Sequence, residues 1–423
     1  MNFTKHENSR IGDCYYSAVH KSGLTLYVYP MKGYASSFAV FSTKYGSVDS
    51  RFKLSGEEEF TSVPDGIAHF LEHKLFENED CDAFERYAKT GADANAFTSF
   101  DRTSYLFTCS ENFEQSFEIL LDFVQSPYFT PETVAKEQGI IAQEIKMYDD
   151  LPTWRVFFNL FGAMYHNHPI QKDIAGSVES INQITSDLLY KCYNTFYNLS
   201  NMVISVSGNV TPEAVGEIAE RMLKNPPPIS IERSYPDEPE SVKTAYTEQH
   251  FDVATPLFQL GFKEKPTEQS DRDSVLSSIF TTAFAGSQSR LYRRLMDKNL
   301  INRSFGGETM QLDSMKCTVF EGESSDPVAV REEFFKEIEY RKQAGFTPEE
   351  FEEARRSVYG SLVSNLEVVY NAGETLASMH VNGLSLYGQI EEAANARPED
   401  INGMTGEKLD AEKCSLSVVS AQA

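Results

Sequence analysis

The 423-residue sequence has no run of 18 apolar residues, no C-x-x-C pair and far fewer basic than acidic side chains. A helix needs about 20 apolar residues to cross a bilayer, so the first absence excludes a membrane span. The opening residues Met1-Asn2-Phe3-Thr4-Lys5-His6 lack the apolar core of a secretory leader. Cys14, Cys81, Cys109, Cys192, Cys317 and Cys414 are scattered, so they read as reduced thiols and not as a disulfide framework. A cytoplasmic protein is the expectation. Lys and Arg total 38 against 63 Asp and Glu, for a formal net charge of −25. Such a surface repels phosphates, which excludes nucleic acid as a partner and otherwise keeps the chain soluble.

Apolar residues make up 41% of the chain and aromatics 12%, ample for packed cores. The length is too great for one core, and two domains of about 200 residues each are expected.

The stretch that organises the chain runs from Gly66 to Glu77. Apolar residues recur at Ile67, Phe70, Leu71, Leu75 and Phe76, which is helical spacing, and Pro64 and Asp65 stand where a helix can open. His69, Glu72 and His73 then leave one face within one turn. Two imidazoles so placed can bind one Zn²⁺ through neutral ring nitrogens. The carboxylate between them is beside the metal, able to take a proton from a zinc-bound water. Two histidines and a glutamate can also be an exposed polar face. The apolar residues on all sides argue for burial, where unpaired ionisable groups are costly. The order H-x-x-E-H is that of the inverted zincins.

Strand-like runs occupy 24–29 and 37–41 ahead of this helix, and 95–100 and 103–107 after it, around an Asp101-Arg102 turn. Helices are expected over about 83–88, 112–124, 131–148, 154–165 and 181–196, and a strand over 202–206. Thr130-Pro131-Glu132 opens the third of these helices with an N-cap, a proline at N1 and an acid in the first turn. That helix carries Glu137 and Glu144, nearly two turns apart and so on one face. The proline-rich acidic segment beginning at Asn225 reads as a linker. The expected domains are 1–225, a linker over 226–245, and 246–423. The second half looks like a repeat of the first. Phe129-Thr130-Pro131-Glu132 returns as Phe346-Thr347-Pro348-Glu349, 217 positions on. At that offset His69, Glu72 and His73 fall on Gly286, Ser289 and Arg290, in a helical 274–295 region. Glu137 and Glu144 fall on Ala354 and Ser361. None of these five can serve as a zinc-site residue there.

Gly66 to His73, Asn95-Ala96-Phe97-Thr98, Glu137 and Glu144 together resemble the pitrilysin, insulin-degrading enzyme and mitochondrial processing peptidase family. The likeness spans nearly the whole chain. It implies an α+β fold of two similar domains, each a β-sheet layered with helices, with zinc in the first. By resemblance His69, His73 and Glu144 are the metal ligands, Glu72 the general base, and Glu137 the carboxylate that orients a ligand histidine. Glu132, Asp149 and Asp150 are rival third ligands. Asn95, Ala96, Phe97 and Thr98 resemble the edge strand that takes up substrate as an added strand, although an ordinary core strand would read the same. Active single-chain members carry a substrate-holding arginine, and seven residues later a tyrosine, in the second half. The matching places here hold Met296 and Arg303. The resemblance therefore implies a zinc endopeptidase that pairs with a zinc-lacking relative, or a homodimer in which Arg293 or Arg294 substitutes. The contrasting expectation is a structural or assembly subunit that keeps the fold without catalysis.

Overall fold

A computed structural model describes residues 1–79 and 81–422. The chain forms two compact units, interleaved along the sequence. The first comprises Met1–Ile145, Asp173–Ser234 and Ser364–Leu386, the second Lys146–Lys172, Tyr235–Val363 and Tyr387–Ala423.

In the first unit, strands β1 (Thr4–Asn8), β2 (Asp13–Val19), β3 (Thr25–Pro30), β4 (Ser37–Thr43), β7 (Asp93–Thr98), β8 (Thr103–Cys109) and β9 (Met202–Gly208) form one sheet in the order β1-β2-β3-β9-β4-β8-β7. Only β3 and β9 pair in parallel. Central β4 and β9 are buried along their whole length. Such strands are covered on both faces and read as continuous apolar or small-residue runs. On one face Ala39 and Phe41 join the core with α1 (Ile67–Leu75), α2 (Ala83–Thr90) and α3 (Phe113–Val124). The other face receives the helix Val369–Val381, contributed by the far end of the sequence. Its Tyr370 ring lies 4.7 Å from that of Phe38, and Ser207 donates to the Val369 carbonyl at 2.6 Å. Gly373 sits so close that a Cβ there would lie 2.5 Å from the Phe38 ring.

A small sheet of β10 (Ile231–Arg233), β5 (Arg51–Leu54) and β6 (Thr61–Ser62) uses part of the proline-rich segment, so that segment is not a bare linker. Arg233 secures it through Asp49 at 2.9 Å. The other expected elements form with altered ends. α4 spans Pro131–Asp149, with Thr133 N–H bonded to the Thr130 hydroxyl at 3.2 Å, and α5 spans Pro152–Met164. The expected 181–196 helix is two, Val178–Ile181 and Ser186–Phe196, because Thr185 caps the second.

The second unit's sheet runs β11 (Tyr246–Phe251), β15 (Cys414–Ala421), β12 (Leu257–Glu264), β14 (Met315–Glu323), β13 (Gly306–Leu312). Its strand senses repeat those of β3-β9-β4-β8-β7: one parallel pair, then antiparallel pairs. The offset of 217 holds for α4 and α5, matched by the helices starting at Pro348 and Val369. It fails for the site helix. The 274–295 region is two helices, Asp271–Ala285 and Arg290–Asp297, and Gly286 lies at the end of the first.

α1 starts at Gly66, not through a side-chain cap from Asp65. Gly66 has φ +89°, and a Cβ on it would meet the Ala175 carbonyl oxygen at 2.3 Å. Gly176 packs reciprocally against the Asp65 carbonyl, which accepts the Ser180 hydroxyl at 2.8 Å. Gly66→Ala combines a left-handed alanine with a backbone clash, a cost of about 1–3 kcal/mol. Its expected signature is a lower urea midpoint for the first unit with an unchanged slope.

Candidate metal site

α1 is buried on nearly all sides: eight of its nine residues are buried, His69, Glu72 and Lys74 among them. Lys74 has no exposed side-chain surface and pairs with Glu77. The three site residues face α4 across the core, where Ile141 and Ile145 anchor the partner helix. Glu144 lies between the two histidines, 3.7 Å from His69 Nε2 and 3.3 Å from His73 Nε2. Glu137 accepts from His73 Nδ1 at 2.9 Å, which leaves Nε2 as the ring nitrogen turned toward Glu144. One donor atom each from His69, His73 and Glu144 lies within 4.8 Å of the others. Among the described residues no other group of this kind occurs, and Glu132, Asp149 and Asp150 are outside it. Asp149 instead pairs with Arg155 at 3.1 Å.

The electrostatics follow from burial. Burial, with His73 adjacent, holds the His69 imidazole down to about 4, so it is neutral at physiological pH. Its Nδ1 is buried and has no hydrogen-bond partner. Burial also pushes Glu72 up to about 7, against the Thr98 hydroxyl, which donates to Oε2 at 2.6 Å. For His73 burial works downward, but the carboxylates of Glu137 and Glu144 outweigh it and raise the ring to about 10.

β7 is the last strand of its sheet, so one side of its backbone is unpaired. Ala94 and Ala96 pack toward the core, and Thr98, in phase with them, meets Glu72. Asn95 is exposed, and Phe97 lies under the Arg102 guanidinium, 5.4 Å from ring centre to carbon. Arg102 in turn pairs with Glu374 of the Val369–Val381 helix. A cavity of about 620 Å³ opens beside His73, Glu72 and Glu137, edged by Asn95 and Ala96. Phe84 and Ile140 also line it and are 48% and 46% exposed. Sequence reasoning missed these two and the side-chain role of Thr98, because no spacing rule links residues from separate elements.

The second unit keeps the architecture of this place without its chemistry. Thr281, on the helix Asp271–Ala285, meets Thr309 of edge strand β13 at 3.4 Å, and Thr309 meets Thr318 at 3.0 Å. In the first unit Glu72 meets Thr98, and Thr98 lies 3.5 Å from Thr103. Thr281 thus takes the place of Glu72, and Ser278 and Thr282 those of His69 and His73. The sequence register onto Gly286, Ser289 and Arg290 was displaced because Thr281 stands 66 positions before Thr347, whereas Glu72 stands 58 before Thr130, so the connection from the site helix to the long helix is eight residues longer in the second unit. A smaller cavity of about 170 Å³ remains, lined by Thr282 and by Glu353, Ala354 and Ser357, which match Lys136, Glu137 and Ile140. Four other histidines bond to serine hydroxyls at 2.8–2.9 Å, His6 to Ser17, His20 to Ser22, His168 to Ser314 and His250 to Ser420, and His380 meets the Tyr27 hydroxyl at 3.1 Å.

The profile of the insulinase family, peptidase family M16, matches residues 60–178. The profile described as the peptidase M16 inactive domain matches residues 183–358. The chain belongs to peptidase family M16. It is a metallopeptidase. The uncharacterized zinc protease YmfH of Bacillus subtilis (strain 168) is 38% identical over 98% of both chains. The crystal structure of an M16-like peptidase from Alicyclobacillus acidocaldarius superposes with a TM-score of 0.92 at 31% identity, covering 100% of this chain and 99% of that one. A mitochondrial-processing peptidase subunit beta of Arabidopsis thaliana is 26% identical over 51% of this chain and 42% of its own length. The two-domain α+β architecture expected from sequence is the family's. Among the described residues no helix is long and apolar enough to cross a membrane.

Ionising buried Glu72 opposes folding in the metal-free protein. A carboxyl raised from 4.5 to about 7 contributes stability that is full below pH 4.5 and lost as pH rises through 7. Metal-free Glu72→Gln should therefore match wild type near pH 4.5 and exceed it by roughly 3 kcal/mol above pH 8. Urea unfolding of the two proteins in chelator, across that range, measures the difference.

Proposed function

We propose that this chain is a zinc metalloendopeptidase that cleaves peptides or unfolded segments, with His69, His73 and Glu144 as metal ligands and Glu72 as general base. The convergence of those three donors within 4.8 Å, beside a cavity edged by an unpaired strand, carries the reading. Two imidazole nitrogens and one carboxylate form a zinc-type donor set with a fourth position open, as catalytic sites have. The charges suit a cation. Glu72, Glu137 and Glu144 surround two imidazoles, one of them held neutral by burial. Zinc held by His69, His73 and Glu144 would supply Lewis acidity, which polarises a carbonyl and lowers the pKa of a bound water to about 7.

Glu72 accepts the proton of the attacking water and returns it to the leaving amine. Its burial favours the protonated form, which suits a group that must hold a proton between two transfers. Glu137 holds His73 through Nδ1, so that Nε2 would be the nitrogen offered to a metal. Substrate adds to β7 along Asn95, Ala96, Phe97 and Thr98. Main-chain pairing there gives affinity with little sequence preference.

The first unit is the zinc-bearing peptidase domain and the second its zinc-lacking repeat. We assign the active form to a dimer with a zinc-lacking relative of this chain, in the cytoplasm. Met296, at the place of the family's arginine, packs against the second unit's core and offers no charge. A homodimer relying on Arg294 is disfavoured, because Glu333 and Glu337 engage that guanidinium at 2.8 and 2.7 Å. Arg293 is exposed and stays available.

Bound zinc per chain is the first test. Wild type should carry one zinc, Glu144→Gln should lose it, and Glu72→Gln should keep it while kcat falls by about 10²–10⁴. Well-folded wild type without zinc, grown in zinc-replete medium, would favour a non-catalytic structural subunit instead. Cleavage of an unfolded peptide should appear only when a zinc-lacking relative is added. A normal rate from the single chain overturns the dimer assignment.

A further inference from the structure

Glu72 is held from a second element. Thr98, on the face of β7 that carries Ala94 and Ala96, places its hydroxyl 2.6 Å from Glu72 Oε2. A hydroxyl has one proton to give. The neighbouring Thr103 donates its own to the Tyr45 carbonyl oxygen at 2.9 Å. A carboxylate only accepts, so the Thr98 proton goes to Glu72. Oε2 is then occupied by a charge-assisted bond, among the stronger kinds of hydrogen bond. Glu72 is 8% exposed, so few other orientations are open to its side chain.

We propose that Thr98 is a positioning residue for the proton transfer: it pins the Glu72 carboxylate through Oε2, so that Oε1 takes up and releases the proton. When Oε1 is protonated, Oε2 still accepts from Thr98, so the carboxyl group keeps its orientation through both transfers. Because Thr98 belongs to the edge strand, the base is aligned by the same strand on which substrate would lie. This inference rests on the reading of Glu72 as the base. In the second unit Thr309 holds the equivalent place without a carboxylate, so a role in the fold has to be separated from a role in positioning.

The test uses the full chain, with the zinc-lacking relative if the chain alone is silent, and a quenched-fluorescence peptide. Thr98→Val keeps the shape and removes the donor, whereas Thr98→Ser keeps the donor. Thr98→Val should lower kcat about 10- to 100-fold with KM within about twofold, while Thr98→Ser stays within about threefold of wild type. Zinc content should not change in either. In a Glu72→Gln background Thr98→Val should cost nothing further. Independently of activity, the Glu72 carboxylate band, read as the infrared difference between each protein and its Glu72→Gln counterpart, should shift in Thr98→Val and return in Thr98→Ser. Wild-type kcat in Thr98→Val, an equal loss in the Glu72→Gln background, or an unmoved band overturns the proposal. If Glu72→Gln itself keeps the wild-type rate, the base assignment falls and the positioning role falls with it. If Glu72→Gln abolishes cleavage and Thr98→Val does not slow it, only the positioning role falls.

Discussion

Burial of His69 and Glu72, with His73 half-buried beside them on one turn of α1, is the constraint on which the first unit depends. An isolated buried charge costs several kcal/mol or is neutralised by a shifted pKa, so each group needs a partner within reach. α4 supplies two carboxylates at a separation that fits one helical face, and β7 supplies a hydroxyl. These partners fix the distance and rotation of α4 against α1, and the place of the edge strand beside both. The site is therefore as much a packing solution as a set of donors.

The same fold was used twice, and the contrast between copies explains which features belong to the scaffold. Both units keep the five-strand order, a helix over the sheet, a long helix facing it and a threonine pair between the last two strands. With Thr281, Ser278 and Thr282 in place of the three ionisable residues, and Ala354 opposite, the second unit has no titratable group at those positions to compensate. Its cavity is correspondingly smaller. Loss of the ionisable groups relaxed the need for facing carboxylates, while the sheet, stabilised by its own apolar faces, kept its topology.

Each unit takes a helix from the other half of the sequence. α5 lies in the second unit, while the helix Val369–Val381 closes a face of the first unit's central sheet. Through Glu374 and Arg102 that helix also braces the turn joining β7 to β8. The edge strand beside the site is thus supported by residues more than 270 positions away in sequence.

The helical period around His69, Glu72 and His73 by itself determined that these groups share a face, because a regular helix leaves no other arrangement for positions three and four apart. The cap at Thr130 and the spacing of Glu137 and Glu144 were legible for the same reason: both are local properties of one helix. Likeness to a family named Glu144 over Glu132, Asp149 and Asp150, which spacing alone left open. Only tertiary structure brought Glu144 between the two imidazoles, put Thr98 on Glu72 and left β7 unpaired, since these depend on how separate elements pack. It also decided the true register of the repeat. Connecting segments change length at little energetic cost, whereas strand order and helix packing do not, so a constant offset in sequence could not follow the fold.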